Sequence, residues 1–329
     1  MKDKFGRNID YIRISITDRC NLRCRYCMPA CGVASVPHSK ILTFSEIVRL
    51  TERFAEVGIR KVKITGGEPL VRRGVLDLIR AIGEVKGIDD VTLTTNGVLI
   101  GQQPELVQQL AEAGISGINI SLDTLNRKKY ESITGTDGLD DVMRAIDVCC
   151  SIPTLKVKVN AVTLADYNQD EVEALACLAK DRNLDVRFIE MMPVGLGKDF
   201  NGYGQDWILK NLEAVYGPAA ADENGSRGNG PAVYYRLEGF CGRVGFISAM
   251  SHMFCGECNR VRLTSEGLLK PCLQYAGGTD LRQLLRSGAD DETLLEAIQT
   301  AIYNKPKHHR FADETAKDAE DKNMSLIGG

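Results

Sequence analysis

Short β-type runs alternate with amphipathic helical stretches six times along the first two thirds of this chain. The predicted strands cover residues 11–17, 61–65, 91–95, 117–122, 155–163 and 184–191. Helical patterns lie between them, from 43 to about 57, from 69 to about 85, and over 104–113, 127–133, 139–150 and 169–182. Parallel strands need crossover connections, which are usually helices. The pattern therefore predicts an α/β fold whose parallel sheet curls into a partial barrel of six strand–helix units.

Polar or glycine-rich segments lie at the C-terminal ends of several of these strands. They are GGEP at 66–69, TTNG at 94–97, SLD at 121–123 and EMMPVG at 190–195. In parallel barrels the functional groups gather at the C-terminal ends of the strands. The sequence therefore predicts a single active site at that end of the barrel.

Three cysteines with the spacing C-x₃-C-x₂-C follow the first strand within one loop, at Cys20, Cys24 and Cys27. Three thiolates from one loop suit a [4Fe–4S] cluster whose fourth iron is left open, because such a cluster is normally held by four cysteines. Cys31 lies four residues further on, so a closed four-cysteine zinc site or a closed cluster is the alternative. The unequal gaps, without a second CxxC or a histidine pair nearby, favour the open cluster.

A second group of three cysteines occurs near the C-terminus, at Cys255, Cys258 and Cys272. Its compact part is a CxxC motif, which is typical of zinc, and Cys241 or His252 could complete a four-ligand site. A second open iron–sulfur cluster fits the spacing equally well. The spacing leaves both interpretations open.

Five cations lie in predicted extended segments, where two of them would share one face and the other three would point into the barrel. Arg260 and Arg262 alternate in a segment beside the second cysteine group, and the others stand between apolar neighbours on predicted strands, at Arg13, Lys63 and Lys158. Alternate residues of a strand share a face. Since an unpaired charge inside a barrel is costly, the pattern indicates a polyanionic ligand, with a triphosphate as the best candidate.

The composition is that of an ordinary globular protein, with 43% hydrophobic and 26% charged residues and a net charge of −3. This balance argues against nucleic-acid binding, whose domains are usually basic. No apolar run is long enough for a signal peptide or a membrane span. Eleven cysteines without a secretion signal indicate reduced thiols and metal sites, so the expected location is the cytoplasm.

Taken together, the motifs resemble those of the GTP 3′,8-cyclases, radical S-adenosylmethionine (SAM) enzymes that begin molybdenum cofactor biosynthesis. The resemblance spans nearly the whole chain. Its motifs are RISITDRC at 13–20 with CMP at 27–29, ITGGEPL at 64–70, LTTNG at 93–97, RFIEMM at 187–192, CGECNRVRL at 255–263 and IGG at 327–329.

The resemblance implies a lyase with SAM and two [4Fe–4S] clusters as cofactors, the first on Cys20, Cys24 and Cys27 and the second on Cys255, Cys258 and Cys272. The first would bind SAM and cleave it to methionine and a 5′-deoxyadenosyl radical, and the second would bind the guanine of GTP. The radical would take the 3′ hydrogen, and C3′ would attack C8 to give (8S)-3′,8-cyclo-7,8-dihydroguanosine 5′-triphosphate. Matching positions for SAM are Tyr26, Gly67, Ser121 and Met192, and those for GTP are Arg13, Lys63, Thr94, Lys158, Arg260 and Arg262.

The resemblance also implies a domain organisation, a role for the C-terminal tail, and partners. A radical SAM core at 1–221, a loop at 222–231 and a C-terminal α+β region at 232–329 with the second cluster are expected. The terminal Gly328 and Gly329 would thread back into the active site and be needed for turnover. Expected partners are an electron donor, a cyclic pyranopterin monophosphate synthase that receives the product, and a second copy of the chain in a homodimer.

The sequence departs from the family pattern at two positions, and two rival functions remain. Lys63 occupies a position where arginine is expected, and Cys31 is an extra thiol that we expect not to bind iron. The rivals are a radical SAM maturase that modifies peptides, which would have more C-terminal cysteines, and a zinc-stabilised binding module without catalysis.

Overall fold

The structure is a computed structural model, and it describes residues 1–34, 36–222, 229–311, 313 and 318–328. Its centre is a set of six neighbouring parallel strands, and the chain runs through helices between them. The strands are β1 (Tyr11–Ser15), β2 (Lys61–Thr65), β3 (Asp90–Thr95), β4 (Gly117–Ser121), β5 (Lys156–Val162) and β6 (Leu184–Ile189). The predicted α/β core with a parallel sheet is confirmed.

Eight α-helices are found between these strands among the described residues. They are α1 (Phe44–Glu56), α2 (Val75–Gly83), α3 (Val98–Gln102), α4 (Glu105–Glu112), α5 (Arg127–Thr134), α6 (Leu139–Cys150), α7 (Ala165–Asn168) and α8 (Val172–Cys177). Local signals fix several of their ends. The Thr43 hydroxyl accepts from the Glu46 N–H while the Glu46 carboxylate accepts from the Thr43 N–H, a reciprocal cap that starts α1.

Two helix predictions were wrong in detail. The stretch 169–182 is not one helix, because α7 ends at Asn168, a short 3₁₀ turn follows, and α8 ends at Cys177. Directly before this stretch, the fully buried Asn168 amide accepts from the Leu164 N–H and donates to the Asp123 and Val162 carbonyls, which fixes the end of α7, and the next α-helix begins only at Val172. The helix predicted between 69 and 85 is a 3₁₀ turn followed by the shorter α2.

The C-terminal region extends this sheet at both edges. At the β6 edge lie β9 (Val244–Ile247), β8 (Val233–Arg236) and β7 (Ala220–Ala221), and at the β1 edge lie β10 (Arg260–Leu263), β11 (Leu268–Lys270) and β12 (Thr279–Asp280). The strands β9 and β10 run parallel to β6 and β1. The C-terminal region therefore supplies walls on both sides of the six-stranded core, while the domain boundaries at 221 and 232 stay a prediction.

Four further helices belong to this half of the chain, for which the resemblance implied an α+β region without naming its elements. They are α9 (Gln205–Tyr216), α10 (Leu281–Arg286), α11 (Asp291–Tyr303) and α12 (Met324–Ile327). The apolar face of α11, with Leu294, Ile298 and Ile302, is fully buried. No helix in the described part of the chain has the length and apolar character that crossing a membrane requires.

The strands separate an apolar layer under the helices from a polar interior. On β1, Ile12 and Ile14 belong to the fully buried core, whereas the alternate residues Tyr11 and Arg13 line a cavity on the other side of the sheet. This alternation follows from the period of two along a strand. It places the charged residues of the strands inside the barrel.

Close packing of α3 against α6 predicts a severe effect of Gly101→Ala. A Cβ at Gly101 would lie 1.9 Å from the Asp141 carbonyl oxygen, so we expect a loss of about 3 kcal/mol or more in the free energy of unfolding. Gly83, at the end of α2, has no atom within 4 Å of the same position. Gly83→Ala should be neutral or stabilise by up to about 1 kcal/mol, because alanine favours helix. Equal urea midpoints for the two variants would contradict this packing.

Candidate functional site

A large cavity of about 790 Å³ extends through the barrel. This volume lies within the range of about 300–1,000 Å³ typical of ligand pockets. Both cysteine groups contribute to its wall, through Cys20, Cys24, Cys27, Cys255, Cys258 and Cys272. The structure therefore brings together two motifs that are separated by more than 220 residues in the sequence.

The first cysteine group lies at the C-terminal mouth of the barrel, in the loop that leaves β1. The Cys27 N–H donates to the Cys24 carbonyl at 2.9 Å, and the Leu22 N–H approaches the Cys20 sulfur at 3.4 Å. Burial raises the pKa of all three thiols, and that of Cys27 reaches about 12. Without a metal these thiols stay protonated at neutral pH, so a metal centre that binds here releases protons.

The second cysteine group lies at the opposite mouth. Cys255 and Cys258 directly precede β10, which is parallel to β1, and the Tyr11 N–H at the start of β1 donates to the Asn259 carbonyl at 3.2 Å. Cys272 follows β11, which is antiparallel to β10 and returns to the same end. A strand rises about 3.3 Å per residue, so the five residues of β1 alone separate the two mouths by about 13 Å.

Charge distinguishes this second group from the first. Burial acts to raise the pKa of Cys258, but the positive charges of Lys305 and Arg260 outweigh it and lower this pKa to about 6. A thiol with such a pKa is a thiolate at neutral pH, which is the form that binds a metal.

The zinc alternatives find little support in this geometry. Within the described residues no three His, Cys, Asp or Glu side chains converge as they would around one metal ion. A tetrahedral zinc site needs such convergence, whereas each cysteine of an iron–sulfur cluster binds a different iron and the sulfurs stand further apart. Cys31 and Cys241 are exposed, and the cavity wall contains neither. The donor set of three thiols at each mouth fits an open cluster.

The wall between the mouths carries a row of cations. Arg262, Arg13 and Lys63 stand in register on the adjacent strands β10, β1 and β2, and Lys158 on β5 and Arg260 on β10 line the same cavity. The prediction that Arg13, Lys63 and Lys158 face the barrel interior is confirmed.

These buried cations repel one another. Burial lowers the pKa of Lys63 well below its usual value, and Arg187, Arg13 and Lys158 add to the shift. Burial and the charge of Arg187 lower the pKa of Lys158 to about 7. No ion pair of Lys63 with a carboxylate is found in the described part of the chain. The arrangement is poised for an anionic ligand that neutralises several charges at once.

Arg187 is a lining residue that the sequence analysis named only as part of a motif. It is buried on β6, and its guanidinium donates to the Asn160 side-chain oxygen at 2.9 and 2.6 Å. The alternation of polar and apolar residues that identified Lys158 on β5 also applies to β6 and would have identified Arg187. Lys305, which follows α11, carried no comparable signal in the sequence.

The residues assigned to SAM by resemblance line the end of the cavity near the first cysteine group: Tyr26, Gly67, Ser121 and Met192. Gly67 packs so closely that a Cβ would lie 2.4 Å from the Arg19 carbonyl oxygen. The Tyr26 hydroxyl donates to the Asp123 carboxylate at 2.7 Å, and burial raises the pKa of Asp123 to about 6. The strand ends therefore meet as predicted, and Asp123 is an additional polar group there.

Two further motif residues have structural partners within the protein. The Glu68 carboxylate accepts from the Thr95 hydroxyl at 2.9 Å, the Asn96 N–H at 2.7 Å and the Leu70 N–H at 3.1 Å, and burial raises its pKa to about 7. It thus ties GGEP to TTNG. Thr94, on β3, lines the cavity beside Asn119.

The C-terminal tail returns to the barrel. Ile327 is 1% exposed and packs with Val194 and Leu273, and the Gly328 carbonyl accepts from the Arg262 guanidinium at 2.7 Å. Gly328 has φ +89°, and a Cβ there would lie 2.7 Å from the Ser15 Cβ, so no other residue fits. Gly329, the other predicted tail residue, lies outside the described residues.

Comparisons with known proteins agree with this arrangement. Residues 14–179 match the radical SAM superfamily, and residues 184–311 match the family described as Molybdenum Cofactor Synthesis C. Proteins named GTP 3′,8-cyclase from Clostridium perfringens (strain 13 / Type A) and Heliobacterium modesticaldum are 46% and 45% identical, each over 100% of both chains. The crystal structure of Streptococcus suis SuiB has a TM-score of 0.61 at 17% identity, over 89% of this chain and 68% of that chain, and supports the fold alone.

Proposed function

Since this chain belongs to the GTP 3′,8-cyclase family of the radical SAM superfamily, we propose that the barrel cavity holds SAM at one mouth and GTP at the other. The observation that carries the proposal is the pair of cysteine groups at opposite ends of one cavity with a row of cations between them. The reaction is the conversion of GTP to (8S)-3′,8-cyclo-7,8-dihydroguanosine 5′-triphosphate, the first step of molybdenum cofactor biosynthesis.

At the first mouth, Cys20, Cys24 and Cys27 would hold the [4Fe–4S] cluster that the radical SAM family implies. When bound, this cluster and SAM supply a 5′-deoxyadenosyl radical that can take the 3′ hydrogen of a ribose. The chain orients the cofactor: Gly67 lets the methionine amino group approach the backbone, and Ser121 and Met192 border the nucleoside. Tyr26, fixed by Asp123, closes the side of this mouth.

At the second mouth, Cys255, Cys258 and Cys272 would hold a second [4Fe–4S] cluster, and guanine would bind at its open iron. Four cations would clamp the triphosphate, namely Arg13, Lys63, Lys158 and Arg262, with Thr94 and Arg260 as further contacts. Burial excludes water and strengthens each of these charge interactions. The ribose would then lie between the mouths, within reach of the radical source.

The tail would complete the site. Gly328 is bonded to Arg262, and Met192 packs against the small apolar cluster that contains Ile327. Gly328 would thus hold Arg262 in place, and the terminal Gly328 and Gly329 would be needed for turnover. After C3′ bonds to C8, the base still needs one electron and one proton to become the dihydro product. The cavity must therefore be within reach of an electron donor and a proton donor.

We propose the remaining relations on the family alone. The radical SAM core would cover 1–221, the connecting loop 222–231, and the region with the second cluster 232–329. The enzyme would work in the cytoplasm, receive electrons from a reducing electron donor and act as a homodimer. A cyclic pyranopterin monophosphate synthase would consume its product.

Anaerobic incubation of the iron-loaded protein with SAM, dithionite and GTP tests the function. We expect 5′-deoxyadenosine and a new nucleotide with the mass of GTP, both only when GTP is present. SAM cleavage that ignores GTP and yields no cyclised nucleotide would favour a peptide-modifying maturase. A colourless, zinc-loaded protein after anaerobic purification would favour the binding module.

A further inference from the structure

The second cysteine group is assembled from separate segments, unlike the first, which lies in one loop. Cys255 begins a 3₁₀ turn before β10, Cys258 directly follows that turn, and Cys272 follows β11. A site built from distant segments needs tertiary contacts to hold its ligands in one geometry. Those contacts converge on residues 305–307, which follow α11.

The side chain of Lys305 joins the two halves of the group. Its ammonium donates to the Arg260 carbonyl at 2.9 Å and to the Pro271 carbonyl at 2.5 Å. Arg260 lies two residues after Cys258, and Pro271 directly precedes Cys272. One ammonium therefore fixes the backbone beside both cysteines.

Arg7, from the N-terminal segment, joins the third cysteine to the same place. Its guanidinium donates to the Cys255 carbonyl at 2.8 Å and to the carbonyls of Lys307 at 2.9 Å and Pro306 at 2.6 Å. The charge of Arg7 is paired with the buried carboxylate of Asp3 at 2.6 Å. Arg7 is thus a neutralised structural brace.

Lys305 differs from Arg7 in its charge balance. It is 2% exposed and lines the cavity, and no ion pair with a carboxylate is found for it among the described residues. An ammonium has three N–H donors, and the two carbonyls use two of them. A buried ammonium without a carboxylate partner is costly, so an apolar side chain would hold the fold better unless an anion binds beside it.

Lys270 shows the ordinary solution to the same problem nearby. It is 1% exposed, and its ammonium pairs with the buried Glu320 carboxylate and also donates to the Tyr275 carbonyl. Lys305 has the backbone contacts without the carboxylate. The thiolate-bound cluster of the proposed function is the anion that its position leaves room for.

We propose that Lys305 is a positioning residue for the second iron–sulfur cluster, fixing the chain beside Cys258 and Cys272 and placing a positive charge next to the cluster. The inference rests on the proposed function, because it requires that the second cysteine group binds a cluster. A nearby positive charge stabilises the more negative, reduced form and so raises the reduction potential. Lys305 would therefore act on both the occupancy and the potential of this cluster.

The test uses a Cys24→Ser background, in which iron reports on the second group alone. After anaerobic reconstitution the background should bind about four irons per chain. Lys305→Met should bind less iron, and reduction of what it retains should be at least about tenfold less favourable, which is about 59 mV for one electron. Redox titration followed by electron paramagnetic resonance measures the potential. Lys305→Arg, which keeps the charge, should restore most of the iron content and most of the reduction potential.

Lys158→Met is the matched control, because it also removes a buried lysine from the cavity wall. It should leave the iron content and the potential of the second cluster unchanged. Circular dichroism of the iron-free proteins separates misfolding from loss of the cluster. If a variant binds little iron, the reduction potential of the fraction that does bind a cluster decides whether Lys305 acts on that cluster. Equal iron and equal potential in Lys305→Met and the background would overturn the role of Lys305. A background that binds no iron would instead refute the second cluster and the proposed function with it.

Discussion

Replacing Cys255 with serine is expected to abolish the conversion of GTP while the first cluster and its SAM chemistry persist. Iron should fall from about eight to about four per chain, since each [4Fe–4S] cluster holds four irons. The two cysteine groups lie at opposite mouths of the cavity, so loss of one should leave the other folded. Iron analysis and product analysis on the same sample measure both effects.

Cys241→Ser is the matched control for this prediction. Cys241 is exposed and does not line the cavity. Its replacement should leave iron content and turnover at the level of the unmodified protein. Full turnover of GTP by Cys255→Ser would show that the second group holds no cluster that the reaction needs.

Replacing Lys63 with methionine is expected to stabilise the free protein and to weaken its binding of GTP. The buried ammonium faces other cations, and an apolar side chain of similar volume should raise the free energy of unfolding by about 1–2 kcal/mol. A hydrogen bond to a charged group contributes about 1.5–3 kcal/mol, so the dissociation constant for GTP should rise roughly 10- to 100-fold. Urea unfolding and equilibrium binding measure the two effects.

The stability gain should depend on pH. Lysine in the unfolded chain ionises near pH 10.4, and the pKa of folded Lys63 is lower because of burial and neighbouring cations. Between the two values the unfolded chain binds more protons, so the penalty from Lys63 shrinks as the pH rises. The advantage of Lys63→Met should therefore decline toward pH 10.

Lys61 provides the control on the same strand and the same side of the sheet. It lines the cavity, but its side chain is 32% exposed and paired with Asp10 at 3.0 Å. Lys61→Met should bring no stability gain and little change in GTP binding. If Lys63→Met raised the free energy of unfolding no more than Lys61→Met did and bound GTP normally, the role of the cation row would be structural.

The core of the fold and most of the cavity wall followed from local patterns in the sequence. Strand alternation placed Arg13, Lys63 and Lys158 in the interior, because the period of two is a property of the backbone. The polar segments met at one end of the barrel because parallel strands share their C-terminal edge. Resemblance added the positions of Tyr26 and Met192, whose individual signals are weak.

What the sequence did not predict depends on long-range pairing. Nothing in residues 260–263 indicates that they form a strand beside β1, and that pairing brings the second cysteine group to the far mouth of the barrel. The helix predicted over 169–182 begins only at Val172, after the fully buried Asn168 amide has bonded to the Asp123 and Val162 carbonyls. Lys305 has no local pattern at all, since its importance arises from two carbonyls in other segments.

GTP carrying deuterium at the 3′ position tests the central claim most directly, namely that one cavity holds the radical source beside the ribose of a nucleotide bound at the other mouth. The iron-loaded protein is incubated anaerobically with SAM, dithionite and the labelled GTP, and the mass of the 5′-deoxyadenosine is measured by mass spectrometry. We predict 5′-deoxyadenosine heavier by one mass unit, formed together with the cyclised nucleotide. Unlabelled 5′-deoxyadenosine formed alongside that nucleotide would contradict this arrangement of the site.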